Sequence, residues 1–300
     1  MLQQFNPQNE NIFVSINGKL FPRSEAKISV FDSAVQGGDA VWEGLRVYSG
    51  KIFALDDHLT RLEESAHAMM FEKIPSREEI KKSIFETLQA NDMRDGVHIR
   101  LTLTRGEKIT SGMDPRLNQK GCVLIVLAEW KNPVYGSGAV TLITSAVRRN
   151  SPLNIDSKIH HNNLINNILA KIEANIAGAD AALMLDNNGF VSETNDCNIF
   201  MTKNGMLFTP NADACLPGIT RRKVIEIAIQ LKIPVHLKNL SLAEFYNADE
   251  VFTTGTMGEL AGVKMIDGRK IENKFSEAIL EKIQDEFRKR TESEGEPLPF

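Results

Sequence analysis

The sequence predicts a mixed α/β (α+β) protein of 300 residues, and three observations carry that expectation. Short runs rich in β-branched and aromatic residues alternate in and out, and most end in a glycine or asparagine turn. Between them lie segments with apolar residues at helical spacing, opened by acidic residues or a Pro-Ser pair. A cluster of breakers, Asn132-Pro133 and Gly136-Ser137-Gly138, interrupts the alternation near the middle. It divides the chain into a small N-terminal domain (1–128), a linker (129–138) and a larger C-terminal domain (139–300), a division that the length supports.

Residues 11–26 read as a hairpin with Asn17-Gly18 as its two-residue turn. A short apolar run, 28–31, precedes the glycine-rich bend Gln36-Gly37-Gly38-Asp39. Residues 40–48 form a strand that turns at Ser49-Gly50, with 51–54 returning. On that strand Trp42, Gly44 and Arg46 share one face. A glycine between an aromatic residue and an arginine leaves room for a ligand to approach, although a kink in the sheet explains it equally well. Residues 55–62 open a helix whose Asp56 and Asp57 suit its positive end. Leu59, Leu62 and Ala66 make its buried stripe; Arg61 lies at the border and either faces water or reaches inward. Ser76 caps a second helix, 77–91, and residues 97–105 alternate as a strand with His98, Arg100, Thr102 and Thr104 on one face. Residues 122–128 read as a buried strand. Beyond the linker come a strand at 140–147, a helix at 166–177, and strands at 181–185, 190–194, 197–202 and 206–210. A helix at 220–231, strands near Val235 and at 250–254, and a helix from Phe275 to about Arg290 follow. The charged tail from Thr291 is expected to be loose.

Composition narrows the function. With 42% apolar and 25% charged residues the chain is an ordinary globular one, and a net charge of -4 argues against nucleic acid or an anionic membrane as partner. No run approaches the ~20 apolar residues of a spanning helix, and residues 1–11 lack the layout of a signal peptide. Cys122, Cys197 and Cys215 have neither pair nor metal spacing, which suits a reducing compartment. A soluble, cytoplasmic protein with no metal is expected.

The chemistry centres on residues 156–167, D-S-K-I-H-H-N-N-L-I-N-N, between an extended run and a helix. Lys158 and His160 stand two apart at what reads as a strand end, on one face. A lysine desolvated at such a corner loses its proton and attacks carbonyl carbon; on the bland reading it is a surface charge. In Leu216-Pro217-Gly218-Ile219-Thr220-Arg221 a glycine and a threonine start a helix, which makes either a plain cap or a phosphate seat. Thr253-Thr254-Gly255-Thr256-Met257-Gly258 is a second polar turn with further donors, Arg61 offers a balancing cation, and Glu193 is an acid inside a strand-like run. A phosphate seat, a lysine and an acid for a ring nitrogen together are what pyridoxal phosphate needs.

Five motifs carry a resemblance: Gly38-Asp39-Ala40-Val41-Trp42-Glu43-Gly44-Leu45-Arg46, His58-Leu59-Thr60-Arg61-Leu62, Val191-Ser192-Glu193-Thr194, Leu216 through Arg221, and Asp249-Glu250-Val251-Phe252 through Thr256. In this order they resemble the class IV aminotransferases, the fold type IV pyridoxal phosphate enzymes. That family includes branched-chain and D-amino-acid aminotransferases, R-selective amine transaminases and aminodeoxychorismate lyase. The resemblance implies a small N-terminal α/β domain, a larger barrel-like C-terminal α/β domain and a homodimer. It implies that Arg61, Gly218, Ile219, Thr220 and Thr256 hold the phosphate, that Glu193 meets the pyridine nitrogen, and that Lys158 forms the Schiff base and moves the proton. Trp42, Gly44, Arg46, Arg100 and Arg105 are its candidates for the substrate, and His160, Asn163 and Met257 would lie near the cofactor. One departure stands out. Aligned without gaps from Val147 to Ala174, the family's lysine column falls on His160; a longer turn through His160, His161, Asn162 and Asn163 brings it to Lys158, the residue chosen here. A tyrosine that some members place shortly after the lysine is missing. The implied activity is transamination between a small amino acid or amine and a 2-oxo acid. A β-eliminating lyase of the aminodeoxychorismate type, or a degenerate relative that binds the cofactor without turnover, are the alternatives.

Overall fold

Asn17 and Gly18 both adopt positive φ, 51° and 73°, the conformation a two-residue hairpin turn demands. They join β1 (Phe13–Ile16) to β2 (Lys19–Pro22), with Ile16 opposite Lys19. The computed structural model describes residues 3–135, 138–272 and 278–300, and the chain divides into two units. The N-terminal unit comprises Leu2–Asn132, Ile159–Asn163 and Thr291–Phe300; the C-terminal unit comprises Pro133–Lys158 and Leu164–Arg290. Residues 136–137 of the expected linker lie outside the described residues.

In the N-terminal unit Val30 and Phe31 of the apolar run 28–31 are exposed, and Asp32 caps a short helix, α1 (Ser33–Gly37), by accepting from Ala34 N–H. Gly38, left-handed at φ 68°, ends it, so the expected bend is a helix followed by a cap. Next come β3 (Ala40–Tyr48), β4 (Lys51–Ile52), α2 (Leu55–Ala68), α3 (Arg77–Ala90), β5 (Val97–Thr104) and β6 (Val123–Trp130). They order antiparallel as β4-β3-β5-β6-β1-β2. Leu59, Leu62 and Ala66 of α2 and Ile80, Ile84 and Leu88 of α3 share a core with Val41, Leu45, Ile99 and Leu101 of the sheet. β6 buries alternate residues only, so it is a half-covered strand rather than a fully buried one.

The C-terminal unit begins with β7 (Val140–Thr144), α4 (Ile165–Ile176), β8 (Ala181–Leu185) and β9 (Val191–Thr194). It continues with β10 (Asn198–Lys203), β11 (Met206–Thr209), α5 (Ile219–Gln230), β12 (Val235–Leu237), α6 (Leu242–Tyr246) and β13 (Glu250–Gly255), and then β14 (Glu259–Ile266) and β15 (Arg269–Lys270). Among the described residues its sheet orders β12-β11-β10-β13-β14-β7-β8-β9, with β15 added on β14. Pairing is parallel at β14–β7, β7–β8 and β11–β12. Phe200 and Phe252, opposite in the β10–β13 register, stack with centroids 5.2 Å apart. Ala170 and Ala174 of α4 pack on Ala182 and Met184 of β8.

The last helix, α7 (Ile279–Ser293), outruns its expected end; its expected start at Phe275 lies outside the described residues. Nor is the tail loose. β16 (Glu296–Pro297) pairs antiparallel with β4, and Leu298 and Phe300 pack on the N-terminal core. Gly295, at φ 129°, permits this return: a Cβ there would stand 2.8 Å from the Ile52 carbonyl oxygen.

Candidate active site

Glu193, on β9, is 5% exposed, and every contact on its carboxylate comes from its own unit. Arg149 Nε donates to Oε1 at 2.6 Å, the Leu216 N–H reaches the same oxygen at 3.3 Å, and Asn198 Nδ2 donates to Oε2 at 3.0 Å. Burial pushes the Glu193 carboxyl above its ordinary value, and the Arg149 guanidinium and the hydrogen bonds oppose the rise. Asn198 Nδ2 also donates to the Leu216 carbonyl at 2.8 Å, which ties the carboxylate to the turn that starts α5.

At that turn Gly218 is the N-cap of α5 and supplies no side chain to cap it, so the first-turn N–H groups lack an intrahelical partner where the helix dipole is positive. A Cβ at position 218 would lie 2.0 Å from Asn198 Oδ1, so any larger residue would have to displace the Asn198 amide. Ile219 and Thr220 follow, both buried. The hydroxyls of Thr253 and Thr254 and Nη1 of Arg149 are buried without a hydrogen-bond partner, and Thr254 pairs with Asn198 across β13 and β10. Thr256 and Met257 form the turn from β13 to β14, with the Met257 carbonyl accepting from Val134 N–H at 2.9 Å. Unspent donors beside an uncapped helix start, next to a buried acid, fit a phosphate-bearing group with a protonated ring nitrogen. Arg221 takes no part: its guanidinium turns back onto Thr209 and the Pro210 carbonyl.

Lys158 is placed differently from the expectation. Residues 156–160 form no strand, and Lys158 sits in a turn in which its N–H donates to Asp156 Oδ1. Its ammonium faces Asp156 at 3.4 Å and the Asp213 carbonyl at 3.2 Å, with 44% of the side chain exposed. The side chain is thus part-exposed in a turn, where a desolvated position at a strand end was expected.

In the N-terminal unit a second carboxylate, Glu43 of β3, is fully buried. Oε1 accepts from Arg61 Nε at 2.8 Å and contacts His160 Nδ1 at 3.1 Å. Oε2 accepts from Arg61 Nη2 at 2.7 Å and contacts His58 Nδ1 at 2.6 Å. Burial works against ionisation, yet His160 and the bidentate Arg61 more than offset it and hold Glu43 well below the usual carboxylate range. His160 is pushed down to about 4, chiefly by burial, with Arg61 adding to the fall and Glu43 resisting it. Arg61 thus spends two of its nitrogens on Glu43; Nη1 alone is buried and unpartnered.

His160 is fixed on every side. Its N–H donates to Ser65 Oγ, its carbonyl accepts from Trp42 N–H, and its ring lies 4.1 Å from the Trp42 ring. Asn163 is exposed and passes against Gly38. Trp42, Gly44 and Arg46 do share a face of β3, paired with Thr102, Arg100 and His98. A Cβ on Gly44 would sit 3.3 Å from His98 Nε2. Arg100 lies 3.6 Å over the Trp42 ring, donates to Asn162 Oδ1 at 2.7 Å, and is lowered by burial to about 10. Arg46 is buried, over the Tyr48 ring. Arg105 is spent on structure, since Nε and Nη2 clasp Asp39 while Nη1 and Nη2 donate to the Met70 and Met69 carbonyls. Four of its five N–H donors are engaged in these contacts.

Sequence reasoning passed over Glu43, His58, Arg149 and Asn198. For Glu43 a signal existed: a lone acid among Val41, Leu45 and Val47 on the apolar side of its strand.

The family described as Amino-transferase class IV matches residues 40–266. The chain is 55% identical, over 98% of its length, to branched-chain-amino-acid aminotransferase-like protein 2 of Arabidopsis thaliana, and it spans about half (53%) of that relative. It is 40% identical to a putative branched-chain-amino-acid aminotransferase of Methanocaldococcus jannaschii, covering 92% of this chain and 95% of that one. The crystal structure of the branched-chain amino acid aminotransferase from Thermobaculum terrenum, in its PLP-form, superposes with a TM-score of 0.85 at 26% identity, covering 94% of this chain and 95% of that one.

Proposed function

Because the chain belongs to the class IV aminotransferase family, we propose that it moves an amino group between a small amino acid of the branched-chain type and a 2-oxo acid, using pyridoxal 5'-phosphate. The likeness to the Methanocaldococcus jannaschii relative and the PLP-form of the Thermobaculum terrenum enzyme support this reading. The observation that carries it is the buried Glu193–Arg149 pair beside the uncapped start of α5 at Gly218. Bound pyridoxal phosphate supplies a ring that accepts the electron pair left when the bond from substrate Cα to hydrogen breaks. Glu193 holds a proton on the ring nitrogen, the first-turn N–H groups of Ile219 and Thr220 seat the phosphate with Thr256, and Gly218 keeps that seat open. Arg61 retains Nη1 for an anion. Arg100, desolvated against Trp42, is the better candidate for a substrate carboxylate than Arg105. A cytoplasmic homodimer is the form we propose, the free thiols of Cys122, Cys197 and Cys215 suiting a reducing compartment. No helix among the described residues is long and apolar enough to cross a membrane.

The test is a half-reaction. The protein loaded with pyridoxal phosphate is mixed with L-leucine, L-isoleucine or L-valine, and the 2-oxo acid formed is quantified. Formation of the matching 2-oxo acid, lost in Glu193→Gln while the cofactor stays bound, is the expected result. Pyruvate release without an acceptor would instead identify the eliminating lyase.

A further inference from the structure

We propose that the C-terminal unit holds its phosphate-bearing cofactor without a covalent bond to lysine. The proposal rests on the cofactor reading above and deepens it. A lysine that joins a cofactor aldehyde must present a neutral amine, and neutrality comes from desolvation or a neighbouring cation. Lys158 has neither: its ammonium is exposed, faces the Asp156 carboxylate, and donates to the Asp213 carbonyl.

Around Glu193 the donors are Arg149, Asn198 and the Leu216 N–H; no lysine is bonded to any of these groups among the described residues. Other lysines of this unit are committed elsewhere. Lys171 donates to the Asp180 carbonyl, Lys203 pairs with Asp249, and Lys238 pairs with Glu244. Two residues beyond Lys158 the side chain is the His160 imidazole, which cannot form the linkage and is already tethered to Glu43. What the unit does offer is a non-covalent hold: a ring-nitrogen partner, a helix start with a glycine N-cap, and buried hydroxyl and guanidinium donors without partners.

The full chain is equilibrated with pyridoxal phosphate, and bound cofactor is measured by dialysis. The same sample is reduced with borohydride, denatured and mapped by peptide mass spectrometry. The expected result is stoichiometric binding that reduction fails to make permanent, with no pyridoxyl adduct on the Lys158 peptide beyond that on exposed surface lysines. In Lys158→Ala the dissociation constant should stay within about threefold, the scale of an exposed ion pair. A stoichiometric reduced adduct at Lys158 or another lysine would overturn the proposal and leave the cofactor reading intact. Loss of binding by about tenfold or more in Lys158→Ala would overturn it too. Absence of any binding overturns both.

Discussion

At Glu43 two oxygens receive nitrogen contacts from three side chains, and titration of that cluster is written into its geometry. His160, lowered to about 4, and His98, lowered to about 3 chiefly by burial, are both neutral in the folded N-terminal unit at neutral pH. Their unfolded values lie near 6.5, so between there and the folded values the unfolded chain binds more protons. Their contribution to stability is therefore complete above about pH 6.5 and is lost as pH falls toward 4 and then 3. At roughly 1.4 kcal/mol for each pH unit between the folded and unfolded values, His160 contributes at most about 3–4 kcal/mol and His98 at most about 5 kcal/mol. Denaturation midpoints should stay level from about pH 7.5 to 6.5 and fall from there to about 4.5, and His98→Gln should flatten that fall; an unchanged slope would count against the buried neutral form. Gly218→Ala forces a methyl group against Asn198 Oδ1, so cofactor affinity should drop by about tenfold or more, equivalent to ~1.4 kcal/mol, in a fluorescence titration. Legibility at this scale was uneven. That Arg61 stood at the border of the α2 stripe was readable, and it does turn inward, but onto Glu43. Convergence of residues 43, 58, 61 and 160 joins β3, α2 and the segment Ile159–Asn163, which no local spacing encodes. The partner of Lys158 was hidden for the same reason, since Asp213 lies 55 positions along the chain.

Elements whose cues are local were the readable ones. The start of α3 shows why. Ser76 Oγ accepts from Glu79 N–H, and Glu79 Oε2 accepts from Ser76 N–H at 2.7 Å, a capping box visible as S-x-x-E in the sequence. Ser76→Ala should destabilise the protein by about 1 kcal/mol, read as a shift in urea midpoint at constant slope; no shift would mean that the box is redundant with α3's packing. The Asn17-Gly18 hairpin was legible on the same grounds. The short helix α1 was not, because the glycines of 36–39 read as a bend while Asp32 caps a helix over Ser33–Gly37. β14 was overlooked: it starts at Glu259, in the left-handed region at φ 49°, directly after a glycine-containing turn that read only as a ligand loop. Where Lys158 sits, an Asx turn on Asp156 overrode the extended pattern that placed it at a strand end.

On the scale of the whole molecule the two units differ in how their chain is assembled. The C-terminal unit is built from the stretches on either side of Ile159–Asn163, whereas the N-terminal unit also takes in that pentapeptide and the final ten residues. A chain ending at Arg290 would lose the β16 pairing, the Leu298 and Phe300 packing, and the stacking of Arg94 on Phe300. Its melting temperature should fall, by an amount corresponding to about 2–4 kcal/mol, and its uncovered β4 edge should promote association in light scattering. A truncated chain as stable as the full one would mean that the tail merely rests on the surface. The same piecemeal assembly has a temporal side. A ribosome adds about 5–20 residues per second, so on the order of ten seconds separate the emergence of Asn132 from that of Phe300. During that interval the nascent N-terminal sheet has an open edge, and Glu43 waits for its second imidazole. The half of the molecule synthesised first is the half that must be finished last, and holding it soluble meanwhile is a task for the cell's folding machinery.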